Sequence, residues 1–246
     1  MALVKTLGAA EVAAAANTLE PQSAQDVLAW GIKTFFPRIG LASSFGAEDV
    51  VLIDMLVKLN PKVTIFTLDT GRLNEETYDV MERIREKYQI SIKSYFPNLE
   101  KVQTLEREKG FFSFRKSIEN RKECCGIRKV EPLNRALGEL DAWITGLRRA
   151  QAVTRTSVPK VELDGAHGNM IKLNPLADWS EQQVWDYIKA NQVPYNTLHD
   201  QNYPSIGCAP CTRAVKPGED IRAGRWWWET PEQKECGLHV NPAAKH

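Results

Sequence analysis

Along the first two-thirds of the chain, short apolar runs alternate with longer stretches whose apolar positions recur at helical spacing. Ile39–Ser44 and Val63–Leu68 predict strands, the second uncharged and apolar enough to be covered on both faces. Ile90–Phe96 and Asp141–Gly146 predict two more. Between them, Gln25–Phe36 predicts a helix stopped by Pro37, and Ala47–Leu59 a helix of near-continuous apolar content. Glu75–Tyr88 has Val80, Met81, Ile84 and Tyr88 at helical spacing, and a further helix runs from Asn98 to about Lys109. Strands and helices alternating at these lengths imply βαβ units, hence an α/β fold with a parallel sheet flanked by helices. Such sheets bind ligands outside the carboxyl ends of their strands. Three of these ends carry polar, Gly-containing loops: Ser43-Ser44-Phe45-Gly46, Asp69-Thr70-Gly71-Arg72 and Gly146-Leu147-Arg148-Arg149.

The last third reads differently. A helix over Ser180–Asn191 opens with a capping box of Ser180 and Gln183, and after Pro194 the pattern turns irregular. The expected organisation is one α/β nucleotide-binding domain over residues 1–215 and a mobile C-terminal segment over 216–246 that folds over an occupied site. The Ala-rich N-terminal stretch is interrupted by Glu11 and reads as a helix or loose arm rather than a signal peptide.

Composition narrows the partners. A formal net charge of +1 gives no bulk attraction to nucleic acid or an anionic membrane, so neither is expected as a partner. No apolar run approaches the roughly 20 residues of a membrane span, and a cytoplasmic address is expected. Any anion must be held by local arrangement.

The loop Ser43–Gly46 lies between a strand and a helix, where backbone N–H groups and the helix dipole favour anions. It is not a Walker loop, because the Lys and second Gly are missing. It resembles the PP-loop of ATP pyrophosphatases, which points to a PP-loop adenine nucleotide alpha hydrolase-like fold. Phe45-Gly46-Ala47-Glu48-Asp49 stands where that loop is richer in Gly and ends in Asp-Ser. The change suggests a related nucleotide from which no pyrophosphate is released.

Five cysteines without a signal do not read as a disulfide framework. They divide as four plus one. Cys208-x-x-Cys211 has a common metal-ligand spacing. Cys124-Cys125 does not, since adjacent helical residues point about 100° apart. Two adjacent thiolates reach one small ion only with local distortion, for which Gly126 and Pro132 leave room, whereas a cluster with separate iron corners accepts them more easily. An iron–sulfur cluster, a structural zinc, or buried thiols beside a redox pair all remain open. Cys236 lies in a polar segment between Lys234 and His239, which would favour its thiolate. Lys129 follows Cys125 by four residues, and Arg148, Arg149, Arg155, Arg222 and Arg225 offer guanidiniums suited to phosphate or sulfate. The run Trp226-Trp227-Trp228 reads as packing or lid closure.

Taken together, Cys124-Cys125, Cys208-x-x-Cys211 and the terminal Glu235-Cys236-Gly237-Leu238-His239 resemble the assimilatory adenylyl-sulfate reductases of bacteria, within the wider phosphoadenylyl-sulfate reductase family. The resemblance covers about Ser43 to His239. It implies that Cys124, Cys125, Cys208 and Cys211 ligate a [4Fe-4S] cluster, with Lys129 between cluster and substrate. It further implies substrate contacts from Ser43, Ser44, Phe45, Gly46, Asp69, Thr70, Gly71, Arg72, Arg148, Arg149, Arg155, Arg222, Arg225 and His239. Cys236 would be the nucleophile that takes the sulfur of adenosine 5′-phosphosulfate, with thioredoxin as reductant, in an enzyme expected to be a homo-oligomer. The presence of both cysteine pairs favours that substrate over its 3′-phosphorylated form. The alternatives are reduction of the 3′-phosphorylated substrate, use of both, a PP-loop adenylating enzyme with structural zinc, and a cluster-bearing sensor without turnover.

Overall fold

The computed structural model describes residues 7–152 and 155–230. Two helices, α1 (Ala9–Leu19) and α2 (Ala24–Phe35), precede the first strand. Then β1 (Ile39–Ala42), α3 (Ala47–Leu59), β2 (Thr64–Leu68), α4 (Glu75–Tyr88), β3 (Lys93–Tyr95) and α5 (Leu99–Lys109) follow in strict alternation. After them come α6 (Ile118–Cys125), a π-helical turn (Gly126–Val130), α7 (Glu131–Leu137) and β4 (Ala142–Ile144). The hairpin β5 (Val161–Asp164) and β6 (Met170–Leu173) and the helix α8 (Glu181–Ala190) complete the regular structure.

The strands form one sheet in the order β3-β2-β1-β4-β6-β5. All neighbours run parallel except the edge pair β5 and β6. The expected parallel α/β sheet is therefore present, with an antiparallel strand added at one edge. Chain order reverses between β1 and β4, so a crevice opens at their carboxyl ends.

The core explains why this frame is firm. In α3, every residue from Asp49 to Leu56 is buried, because the helix lies between the sheet and α8. The carboxylate in the middle of that stretch, Asp54, is satisfied by Tyr88 Oη at 2.8 Å, Tyr187 Oη at 2.7 Å and Lys58 Nζ at 2.7 Å. A buried charge needs such partners to be tolerated. Ser23 and Ser180 cap α2 and α8 through capping boxes. Near the end of the described chain, Trp226, only 1% exposed, packs against the cysteine-bearing side, and Glu229 pairs with Arg121 on α6. The rest of the expected C-terminal segment lies outside the described residues. No helix among the described residues is long and apolar enough to cross a membrane.

Candidate active site

The crevice at the switch point is a cavity of about 250 Å³. Its walls come from the loops after β1, β2 and β4, from Lys129 on the π turn, and from Arg222 and Arg225 near the end of the described chain. The loop after β1 owes its shape to Phe45. Its ring is fully buried in the core while its backbone takes φ +59°, and its N–H donates to Ser43 Oγ at 3.1 Å. Phe45 is thus an anchor for the loop. The amide and hydroxyl of Ser44 both donate to Asp49 Oδ2, at 2.6 and 2.8 Å. The first turn of α3 therefore supplies the carboxylate that takes both donors of Ser44, and Glu48 adds a second acid there. Burial pushes Asp49 up to about 6, the Ser44 hydrogen bonds pull it back, and the Glu48 charge adds to the rise.

After β4 the chain must pass very close to α3. A Cβ on Gly146 would overlap Asp49 Oδ1 and lie 2.9 Å from Glu48 Cβ. Arg148 is buried, donating from Nε to Glu48 Oε1 at 2.8 Å, and lines the crevice. Arg155 lines it too and bonds Gln151 Oε1 at 2.6 Å. Arg149 turns the other way, toward Glu20 just after α1 and the carbonyl of Val158. In the loop after β2, Thr70 faces the crevice, while Asp69 shapes the turn by accepting from Gly71 N–H and Tyr78 Oη. Gly71 has φ +69°. Arg72 pairs with Glu106 at 3.1 Å and lies beside the cysteines.

The four cysteines Cys124, Cys125, Cys208 and Cys211 line one second cavity of about 20 Å³, together with Arg72, Arg128, Lys129, Arg225 and Trp226. All four are free thiols. Adjacent Cys124 and Cys125 reach it where α6 gives way to the wider π turn, a distortion often found at functional positions. Gly126 stays in the right-handed helical region, so the widening comes from the π turn rather than from a glycine bend. Among the described residues, no three Cys, His, Asp or Glu side chains converge tightly enough to grip a single metal ion.

The electrostatics of the four thiols are coupled. Burial pushes Cys211 up to about 12, and the neighbouring Cys208 and Cys125 push further, against Lys129. Burial also raises Cys124, opposed by Arg128 and Arg72. Cys208 moves down instead. Burial works against its thiolate, but Lys129, the Thr70 hydroxyl at 3.3 Å, Arg225 and Arg128 together outweigh it. Lys129 and Arg225 line both cavities. Of the basic residues singled out in the sequence, Arg148, Arg155, Arg222, Arg225 and Lys129 come together on the crevice. Cys236 and His239 lie outside the described residues.

Residues 38–214 match the phosphoadenosine phosphosulfate reductase domain. The chain belongs to the phosphoadenosine phosphosulfate reductase family. Within that family it is 48% identical over 232 residues to the adenosine 5′-phosphosulfate reductase of Burkholderia cepacia, covering 92% of each chain. It is 54% identical over 199 residues to the enzyme of the same name from Neisseria meningitidis serogroup B, covering 80% of each. Its fold is similar to the phosphoadenylyl-sulfate reductase of Candida auris, solved as a phosphate complex, with a TM-score of 0.73 and 31% identity over 87% of this chain and all of that one.

Several site residues were not evident in the sequence. Arg128 donates to the Thr70 carbonyl at 2.7 Å and to Glu106 at 2.6 Å, tying the π turn to the loop after β2. Its position next to Lys129 was the available signal. Thr145, Gln151, Trp185 and His199 also line the reductase-family crevice. None belongs to a local motif.

Proposed function

We propose that this protein reduces adenosine 5′-phosphosulfate to sulfite and AMP in sulfate assimilation, using an external dithiol, thioredoxin, as reductant. One observation carries the reading: Lys129 and Arg225 line both the crevice and the cysteine cavity, so the positive end of the crevice adjoins the four thiols. In this reading the adenosine occupies the end formed by Ser43, Leu68 and Gly146. The phosphosulfate lies at the end formed by Lys129, Arg222 and Arg225, with Arg155 nearby. Guanidinium groups suit that anion.

The Cys236 thiolate attacks the sulfur atom of the bound nucleotide. A bond forms between Cys236 Sγ and the sulfonate sulfur, the bond from that sulfur to the bridging oxygen breaks, and AMP leaves with the electron pair. A thiolate of the dithiol then attacks Cys236 Sγ and releases sulfite. The second thiol resolves the mixed disulfide, so the dithiol supplies two electrons and Cys236 returns as a thiol. Lys129, Arg222 and Arg225 offset charge on the phosphosulfate as AMP departs.

The cysteine environment fits a [4Fe-4S] cluster held by Cys124, Cys125, Cys208 and Cys211. Four mutually repelling thiols around one small cavity, rather than at one point, suit a group with separate metal corners. When bound, it would supply local charge and tie the end of α6 to the Cys208–Cys211 segment. Lys129, Arg128 and the Thr70 hydroxyl offset the thiolate charge. The enzyme is read as cytoplasmic and as a homo-oligomer.

A second reading, reduction of the 3′-phosphorylated nucleotide, rests on the similarity to the Candida auris enzyme. Glu48 and Asp49 at the β1 loop oppose it, since a further phosphate at that end meets carboxylates. Rates of sulfite release from the two nucleotides with thioredoxin test both readings. A preference for the 3′-phosphorylated compound would reverse the assignment.

A further inference from the structure

Arg225 projects into the crevice, yet its hydrogen bonds go to uncharged groups, Ser205 Oγ at 3.3 Å and the Ile206 carbonyl at 3.1 Å. Its guanidinium carbon sits 4.8 Å from the ring centroid of Trp226, and its Nε has no hydrogen-bond partner among the described residues. A second guanidinium, that of Arg121, lies 4.7 Å from the same ring. Arg121 is 1% exposed and donates from Nε to Glu229 Oε1 at 2.7 Å, itself deeply buried. Arg121 sits one helical turn before Cys124 on α6. Trp226 in turn gives its backbone N–H to the carbonyl of Cys211 at 3.1 Å, and it holds φ +40°, a conformation that costs an aromatic residue energy unless its surroundings impose it.

We propose that Arg121 is a positioning residue for Arg225, acting through the ring of Trp226. Two like charges on one indole would repel, so one must be neutralised. Glu229 neutralises Arg121, and the charge of Arg225 stays available to the crevice. Cation–π attraction to a desolvated indole then holds the Arg225 guanidinium where neutral hydrogen bonds alone would leave it loose. The same stack joins α6 to the chain segment that leads toward Cys236. The proposal rests on the reading that the crevice takes adenosine 5′-phosphosulfate.

The test uses the full-length, iron-loaded chain and two probes, adenosine 5′-phosphosulfate and adenosine, in equilibrium binding. Removing Arg121 alone would strand a buried carboxylate, so the first variant is Arg121→Met with Glu229→Leu. An apolar pair in place of a buried ion pair is often tolerated without loss of stability. The second variant, Trp226→Leu, keeps the ion pair and removes the ring. Both variants are expected to bind the phosphosulfate nucleotide about tenfold more weakly, with adenosine affinity unchanged. Either folded variant binding both probes as wild type does would show Arg121 to be structural only and overturn the proposal. Wild-type protein that binds neither probe would remove the reading of the crevice itself, and this proposal with it.

Discussion

Gly146 and Asp49 approach so closely that no side chain fits between them: a Cβ on Gly146 would overlap the Asp49 carboxylate. The close approach brings the end of β4 against the first turn of α3 and narrows the crevice. Gly146→Ala must therefore move either the strand end or the loop that Asp49 organises. Both line the crevice, so nucleotide affinity is expected to fall at least tenfold, and stability by about 1–3 kcal/mol, the cost of overpacking a tight site. Binding isotherms and thermal denaturation of the same variant check the two effects.

The raised pKa of Asp49 has a definite sign. Its carboxyl goes from 3.8 when unfolded to about 6 in the folded chain. The folded state thus binds the proton more tightly, and the contribution to stability is complete below pH 3.8 and lost as pH rises through about 6. Asp49→Asn keeps an oxygen acceptor for Ser44 without the charge. Relative to wild type, the variant is expected to gain stability as pH rises from about 3.5 to about 7.5, on the order of 2–3 kcal/mol in all, from the size of the shift. Thermal unfolding of both proteins across that range reads the difference. A wild-type-minus-variant gap that is flat with pH would contradict the assignment.

Lys129 joins the two cavities, and its charge is the first favourable influence on the Cys208 thiolate. Lys129→Ala is expected to reduce kcat/KM for the phosphosulfate nucleotide about 10²–10³-fold, the range for removing one group that stabilises developing charge. Adenosine affinity should hardly change, because adenosine carries nothing for the lysine to meet. Steady-state kinetics and adenosine binding separate the two.

For the cysteine cavity, Cys124→Ser, Cys125→Ser, Cys208→Ser and Cys211→Ser should each lower the iron and sulfide content from about four of each per chain. Cys236→Ser should leave both at the wild-type level. Metal and sulfide analysis of anaerobically purified protein measures this directly. Stoichiometric zinc with no sulfide would replace the cluster with a mononuclear site.

Much of the frame was legible in the sequence because its signals are local. The helices Ala47–Leu59 and Glu75–Tyr88 have the predicted bounds. The strand after Pro37 ends at Ala42, two residues early, because Ser43 and Ser44 already belong to the loop that Phe45 bends. The hairpin of β5 and β6 has no clear sequence signal. Its strands are four residues each and carry Glu162 and Lys172, which pair across the strands and look like surface charges in sequence. The two cysteine pairs are likewise visible from spacing, and both line one cavity. What sequence could not separate was Arg148 from Arg149: neighbours in the chain, one faces the crevice and the other faces Glu20. Arg121 and Arg128 carry no sequence signal of burial for a related reason. Their burial depends on Glu229 and Glu106, partners 108 and 22 residues away.

The central claim is that Cys236 takes the sulfonate from the nucleotide before any reductant acts. Mass spectrometry of the intact chain and its peptides, after incubation with adenosine 5′-phosphosulfate in the absence of thiols, tests it most directly. One sulfonate on the peptide containing Cys236, released as sulfite when thioredoxin is added and absent in Cys236→Ser, is the predicted result. An unmodified Cys236 with sulfite nonetheless formed, or a Cys236→Ser chain that still turns over, would contradict it.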